Sequence, residues 1–283
     1  MVYMATRTLL WGGGGDGTSF ADTWEWDGEG WVQVADTGPD PFPWAGLAFD
    51  SNRNVAVLFT SNKSNTVWET WEWDGEGWTQ VEDTGPKTRN SLFGLVYDSA
   101  RHVTLLEGGS VQSGNPLGIH PVGTWSWDGT TWTQLSDVGP PQRYLSGRAY
   151  DASRQRVVHY GGMNTSLTPA VGRDTWEWDG SLWEEVENIG PVSRYGHAMT
   201  GTDAATLLFG GAELETPPPE LLGDSWTWDG DHWHQRQDMG PSPRWLAGVS
   251  WDAARTRGVL FGGATFFPNP TYLGDTWESF EVA

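Results

Sequence analysis

A single pattern recurs six times along this chain of 283 residues. Each copy has an apolar run, a loop, and a segment close to Asp-Thr-Trp-Glu-Trp-Asp-Gly, and in five copies the run ends in a glycine pair. The first tryptophans of these segments lie 47 to 54 residues apart, at Trp24, Trp71, Trp125, Trp176, Trp226 and Trp277. A period near fifty residues indicates small sheets that must stack on one another, because one such sheet cannot bury both of its faces alone.

The fourth copy shows how one repeat divides into strands. Apolar and aromatic runs at 143–151, 155–161, 174–179 and 182–187 are separated by short polar turns. The third and fourth runs are joined by Asp-Gly, a strong hairpin signal. We therefore predict an all-β fold, a six-bladed β-propeller whose blades each have four antiparallel strands.

Each predicted hairpin carries two tryptophans that flank its turn, such as Trp178 and Trp183. We expect them to face each other across the strands, where an aromatic pair adds about 0.5–1.5 kcal/mol beyond burial. The same spacing occurs in Trp26 and Trp31, Trp73 and Trp78, Trp127 and Trp132, and Trp228 and Trp233. Most of the 21 tryptophans are therefore interpreted as structural rather than as sugar platforms.

Composition excludes several classes of function. The absence of cysteine rules out disulfides, thiolate metal sites and cysteine nucleophiles. A net charge of −21 disfavours nucleic acid and membranes as partners, since both need a cationic surface, and we interpret the acidic residues as solvated surface. We read no signal peptide in 1–15 and no transmembrane segment, so we expect a soluble protein of unknown compartment. We also expect a single domain and a monomer.

Four motifs resemble those of the kelch repeat family: Leu-Phe-Gly-Gly at 208–211, Asp-Thr-Trp-Glu-Trp-Asp-Gly at 174–180, the following Trp183, and Arg-Tyr-Gly-His-Ala at 194–198. The resemblance implies a kelch β-propeller with the first strand of each blade innermost. The blades would span about 1–38, 39–86, 87–140, 141–191, 192–241 and 242–283. Because only three residues follow Phe280, we expect either that the last blade has three strands or that the natural chain is longer.

The kelch family has no single activity. Many members bind proteins, and others resemble copper-radical oxidases, sialic acid mutarotases or iron-dependent specifier proteins. The radical oxidases need a Cys-Tyr crosslink, and this chain has no cysteine. The specifier motif Glu-x3-Asp-x3-His does not occur. We therefore predict neither a cofactor nor a metal.

Residues that break the repeat are the first candidates for a site. Aligning the first strands on a shared glycine places Arg148 and His197 where other copies have Leu47, Leu95 and Val249. Aligning the second strands places Glu107 and His159 at otherwise apolar positions. Ionisable groups in apolar positions are costly unless paired, so we predict that these four form one polar cluster. It would be either catalytic, with Glu107, His159 and His197 as acid and base and Arg148 as anion clamp, or a satisfied structural network.

A second candidate site lies where the chain crosses between blades. The crossings contain Arg89, Arg143, Arg194 and Arg244, interleaved with Tyr144, Tyr195 and Trp245, and with Trp44 in the second blade. Long loops on the same face carry further polar residues such as His120. We predict that this face recognises a small anionic molecule, an acidic peptide or a saccharide. The alternatives are an enzyme using the four-residue cluster, and arginines that only brace the blade junctions.

Overall fold

The computed structural model describes residues 1–15, 17–42, 45–64, 67–86, 93–108, 123–164, 169–214, 219–236, 240–265 and 271–278. The chain divides into two compact units, Met1–Val138 and Gly139–Ala283. The expectation of a single domain stays a prediction.

The first unit holds three four-stranded sheets, called blades one to three. Blade one consists of β1 (Val2–Met4), β2 (Arg7–Gly15), β3 (Thr18–Trp26) and β4 (Trp31–Ala35), and blade two of β5 (Gly46–Asp50), β6 (Val55–Ser61), β7 (Trp68–Trp73) and β8 (Trp78–Glu82). Blade three consists of β9 (Phe93–Asp98), β10 (Val103–Gly108), β11 (Thr124–Trp127) and β12 (Trp132–Ser136).

The second unit holds blades four to six. Blade four consists of β13 (Gly147–Asp151), β14 (Arg156–Tyr160), β15 (Thr175–Trp178) and β16 (Trp183–Glu187). Blade five consists of β17 (Ala198–Gly201), β18 (Thr206–Phe209), β21 (Ser225–Trp228) and β22 (Trp233–Gln235), with a two-stranded loop sheet of β19 (Ala212–Glu213) and β20 (Glu220–Leu221). Blade six consists of β23 (Gly248–Asp252), β24 (Arg257–Phe261) and β25 (Thr276–Glu278).

The predicted fold class is confirmed. All six blades are antiparallel sheets with their strands in chain order, as in a six-bladed β-propeller, and in the described residues the last blade has three strands. Over the same ranges, no helix has the length and apolar character needed to cross a membrane.

In blades four to six, the glycine pairs end the second strands, whereas β2 of blade one continues past its pair to Gly15. Gly161 and Gly162 have φ of 67° and 91°, a left-handed conformation that glycine adopts without strain, and β14 stops at Tyr160 just before them. Blade two has Thr60 and Ser61 instead of a glycine pair, and there β6 continues, pairing both residues with β7. The sequence exception in blade two therefore lengthens a strand.

The predicted tryptophan pairs are confirmed as cross-strand partners. Trp178 lies opposite Trp183, and the four other pairs have the same register. In all five hairpins the ring centroids are 5.6 Å apart. Such constant geometry indicates one packing unit repeated in blades one to five.

Within the two units, three fourth-strand tryptophans also join their blade to the preceding one. The indole N–H of each donates to a threonine Oγ1 on the third strand of that preceding blade. The bond is 2.8 Å in the pairs Trp78 to Thr23, Trp132 to Thr70, and Trp233 to Thr175. The same rings lie against a glycine of the crossing, where a Cβ on Gly38 or Gly85 would come within 2.7–2.9 Å of ring carbon Cδ1. The repeated Thr, Trp and Gly are thus parts of one contact between blades.

Much of the acidic charge belongs to a second repeated contact. In blade four, Arg154 bridges Asp151 at the end of β13 and Glu177 on β15, at 2.8 and 2.6 Å. The same Glu177 oxygen accepts the indole N–H of Trp228 in blade five at 2.7 Å. Arg53, with Asp50, Glu72 and Trp127, repeats this arrangement in the first unit. The interpretation of the acidic residues as solvated surface is therefore wrong for these, because they neutralise arginines inside the blades.

Replacing Thr175 by Val tests the contact between blades four and five. The change keeps the shape of the side chain but leaves the buried indole N–H of Trp233 without its acceptor, which should lower the free energy of unfolding by about 1–3 kcal/mol. The matched control is Thr133→Val on the exposed side of β12, which should change stability little. Urea unfolding followed by tryptophan fluorescence measures both, and equal stability of the two variants would contradict the assignment.

Candidate functional site

The arginines at the blade crossings are buried rather than presented to a ligand. Arg194 and Arg244 are 0% and 1% exposed. Arg194 makes two hydrogen bonds to the carboxylate of Asp224, at 2.7 and 2.8 Å, and a third to the Gly210 carbonyl. Arg244 repeats this with Asp275 and Gly262. These arginines therefore hold the glycine pair and the start of the third strand in place.

Arg143 follows the same rule, since it is buried and pairs with Asp174. Hydrogen bonds from Arg244 lower the pKa of Asp275 to about 2, so the carboxylate is charged over the whole physiological range. Burial acts to raise the pKa of Asp224, but the hydrogen bonds and the charge of Arg194 outweigh it and keep that pKa below its usual value.

The predicted ring of anion-binding arginines is therefore corrected. In the second unit its three members are neutralised by aspartates, because a buried guanidinium needs a carboxylate nearby. The remaining predicted members of this face, Arg89, Trp44 and His120, lie outside the described residues. Sequence reasoning missed the partner aspartates Asp174, Asp224 and Asp275, although each stands directly before the Thr-Trp or Ser-Trp of its repeat.

The aromatic residues of the crossings form small ladders with the loops. Tyr144 pairs with Met163, Tyr195 with Ala212, and Trp245 with Ala264, all antiparallel. Tyr195 is buried and meets Trp245 edge to face, with ring centroids 6.0 Å apart. Tyr144 and Trp245 are half-buried, so they keep a surface that a ligand can reach.

The strand register corrects the placement of His197. Gly147 on β13 and Gly248 on β23 lie opposite Tyr160 and Phe261, whereas in blade five it is Ala198 that lies opposite Phe209. The residue equivalent to Arg148 is therefore Met199, and His197 precedes its strand by one residue. Gly196 misled the alignment because it is a turn glycine with φ of 65°, not the strand glycine.

His197 braces two blades. Its Nε2 accepts the backbone N–H of Gly147 at 3.1 Å, and its ring meets Tyr160 edge to face. Burial lowers its pKa well below 6.5, and the charges of Arg194, His159 and Arg148 act in the same direction, against a backbone hydrogen bond to Tyr160. A neutral imidazole that accepts a backbone N–H is suited to a structural role and poorly suited to proton transfer at neutral pH.

Of the four residues in the predicted cluster, Arg148 and His159 lie side by side in blade four. They are direct cross-strand partners on β13 and β14, so their side chains leave the same face of the sheet. Arg148 is half-buried and donates from Nη1 to the Ser146 carbonyl at 3.2 Å. His159 is buried, with its ring edge-on to Trp183. The residues at the position of His159 in all other blades are leucines, so the two polar side chains replace an apolar pair.

Glu107 lies in the first unit, buried on β10 between Gly94 of β9 and Thr124 of β11. The register confirms that it occupies the position of Phe59 in blade two, which packs against Phe93 and Trp132. That Glu107 joins Arg148 and His159 stays a prediction.

Arg194→Met should test whether the crossing arginines are structural. Removing the guanidinium strands the carboxylate of Asp224, and breaking such a buried pair costs about 3–5 kcal/mol of unfolding free energy. Arg257→Met, on a half-exposed arginine of β24, is the control and should cost below about 1 kcal/mol. Chemical denaturation compares them, and a cost for Arg194→Met no larger than the control's would refute a structural role.

The depressed pKa of His197 predicts a pH dependence of stability. As the pH falls below about 6.5, His197 takes up a proton in the unfolded state but not in the folded state. Its contribution to the free energy of unfolding is therefore fully present above that pH and falls below it by up to about 1.4 kcal/mol per pH unit. His197→Ser, which installs the residue found at the equivalent Ser146, should lose this part of the slope. His232→Ser, at an exposed turn, should keep it. Denaturation at pH 5.5 and 7.5 provides the measurement, and identical slopes in both variants would contradict the prediction.

Comparison with known proteins supports the fold alone. No family model matches the chain, and no curated protein matches it, so membership of the kelch family stays a prediction from the motifs. Among solved structures, the chain is similar to one described as the structure of YjhT, with a TM-score of 0.69 and 10% sequence identity. The match covers 97% of this chain and 94% of that one, so the likeness extends over the whole propeller.

Proposed function

We propose that this protein is a ligand-recognition β-propeller that binds a small anionic molecule through the inner-strand surface around Arg148. The observation that carries the proposal is the place of Arg148 in the repeat. Met199 on β17 and Val249 on β23 hold the equivalent position in blades five and six, and Leu47 and Leu95 hold it in the first unit. A guanidinium where the repeat requires an apolar side chain is costly, which favours a functional reason for it.

The surroundings of Arg148 suit an anion. Tyr150 follows two residues later on β13 and is also half-buried, so alternation along the strand places it on the same face as Arg148. A planar guanidinium beside an aromatic ring binds carboxylate and phosphate groups well, because it offers paired N–H donors and the ring restricts its motion.

The net negative charge of the protein limits where an anion can bind. The chain has a net charge of −21, so an anion is repelled unless a local cation attracts it. The crossing arginines of the second unit are matched by aspartates, and Arg154 and Arg255 are matched by the acids of their own blades. Arg148 lies elsewhere in the repeat, on the half-buried side of a first strand. The acidic-peptide and saccharide ligands remain outcomes of the test.

Replacing Arg148 by Met is the direct test. The new methionine matches Met199, which holds the equivalent position in blade five, so the blade should fold normally. Affinity for an anion should fall at least about tenfold. Arg156→Met, on the next strand of the same blade, removes the same charge elsewhere and should leave affinity unchanged. Isothermal titration with inorganic phosphate and with succinate measures both variants, and wild-type binding should weaken as salt rises. Equal affinities of the two variants would refute the site, as would the absence of wild-type binding to any anion tried.

Acid–base catalysis is the second candidate function, because Arg148 is the cross-strand partner of the titratable His159. His159 would exchange a proton with a substrate that Arg148 holds, and His197 would stay a brace. His159→Leu separates the two functions, since it restores the leucine of the other blades. If the protein is an enzyme, this variant should bind the anion and fail to convert it. For a binding protein, NMR spectra of the ligand should stay unchanged over time with both wild type and variant.

A further inference from the structure

We infer that a guanidinium group binds in the crevice between blades four and five, where it pairs with the carboxylate of Glu187. The inference rests on a buried carboxylate that lacks hydrogen-bond donors. Glu187 is the last residue of β16, and its side chain is 9% exposed. Its Oε1 lies 3.4 Å from Nδ1 of His232, in the hairpin turn of blade five. Its Oε2 is buried and has no hydrogen-bond partner among the described residues.

The equivalent glutamate of blade two is satisfied by its own turn. Glu82, the last residue of β8, accepts the backbone N–H groups of Asp83 and Thr84 and the hydroxyl of Thr84, at 2.5–2.9 Å. In blade four, the residue at the place of Thr84 is Ile189, which has no hydroxyl and is 72% exposed. The carboxylate of Glu187 instead points toward blade five, as its contact with His232 shows.

A second acidic residue faces the same crevice. Glu187 lies opposite Thr175, and Glu184 lies opposite Glu177. Thr175 and Glu177 both accept indole N–H groups from blade five, so this side of blade four faces that blade. Within the described ranges, no arginine or lysine forms an ion pair with Glu187. An exposed and a buried carboxylate on one side of β16 therefore favour a cationic ligand.

A guanidinium group fits this carboxylate better than a metal ion does. The part of the chain that the structure describes has no group of three or more side chains that could hold a metal. A guanidinium offers paired N–H donors to both oxygens of a carboxylate. Oε2 of Glu187 is unoccupied, and the contact of Oε1 with His232 is longer than the usual 2.7–3.2 Å. The His232 ring is 66% exposed, so it has room to move aside for the ligand.

Two guanidinium probes test the inference and identify the source of the group. Isothermal titration of the intact protein with butylguanidinium and with the peptide Gly-Gly-Arg-Gly-Gly is done at about 0.15 M salt, which screens non-specific attraction to an acidic protein. The arginine peptide should bind at least about tenfold more tightly than the same peptide with Lys in place of Arg. Equal affinity for both guanidinium probes would indicate a small-molecule ligand, and tighter binding of the arginine peptide would indicate a protein partner. Absence of binding by both guanidinium probes would overturn the inference, as would equal affinity for the two peptides.

Glu187→Gln locates the binding. The change removes the charge that pairs with the guanidinium, so affinity should fall at least about tenfold. Glu185→Gln is the matched control, because Glu185 is an exposed residue of the same strand that lies opposite Trp176, and it should bind like wild type. Without a probe, Glu187→Gln should unfold at a higher urea concentration than wild type, since a buried carboxylate that lacks donors destabilises the fold. Equal affinities of the two variants would overturn the inference. So would a lower urea midpoint for Glu187→Gln, which a purely structural contact with His232 predicts.

Discussion

The indole hydrogen bond between neighbouring blades is the interaction on which the structure depends. A fourth-strand tryptophan such as Trp233 pairs with a tryptophan of its own hairpin, donates to Thr175 of the preceding blade, and covers the glycine of the crossing. One side chain thus fixes a hairpin, a blade interface and a connection. The sequence repeat is therefore partly a repeat of interfaces, because its threonine, fourth-strand tryptophan and crossing glycine meet in one contact between two blades.

Ion pairs inside the blades recur along the chain as well. The chain has thirty-seven acidic residues and sixteen basic ones, which suggests a uniformly acidic surface. The structure instead uses arginines as structural cations, with Arg154 between Asp151 and Glu177, and Arg194 against Asp224. Each buried guanidinium is surrounded by carboxylates and carbonyls, which offsets its desolvation. In such a protein, abundance of arginine says little about anion binding, and only an arginine that breaks the repeat, such as Arg148, points to it.

The sequence was sufficient for features with a local signal and insufficient for those that depend on distant partners. Sheets, hairpin pairs and the exceptional positions of Glu107, Arg148 and His159 follow from period and turn chemistry. The burial of Arg194 did not, because Asp224 is thirty positions away. The placement of His197 failed because Gly196 resembles the strand glycine. In blades four and six the same turn position is taken by leucine, which hides the correspondence.

The leucines at this turn position help to fix the backbone that carries Arg148. Leu145 and Leu246 have φ of 58° and 56°, a conformation that costs a non-glycine residue about 1–2 kcal/mol. The backbone N–H of Gly196 donates to the Leu145 carbonyl, and the N–H of Leu246 donates to the Gly196 carbonyl, both at 2.7 Å. These bonds connect the turns that precede the first strands of blades four, five and six. Just after this link, His197 holds Gly147, the residue next to Arg148. The backbone that carries Arg148 is therefore fixed in the free protein, and such preorganisation would reduce the entropy lost on binding the proposed ligand.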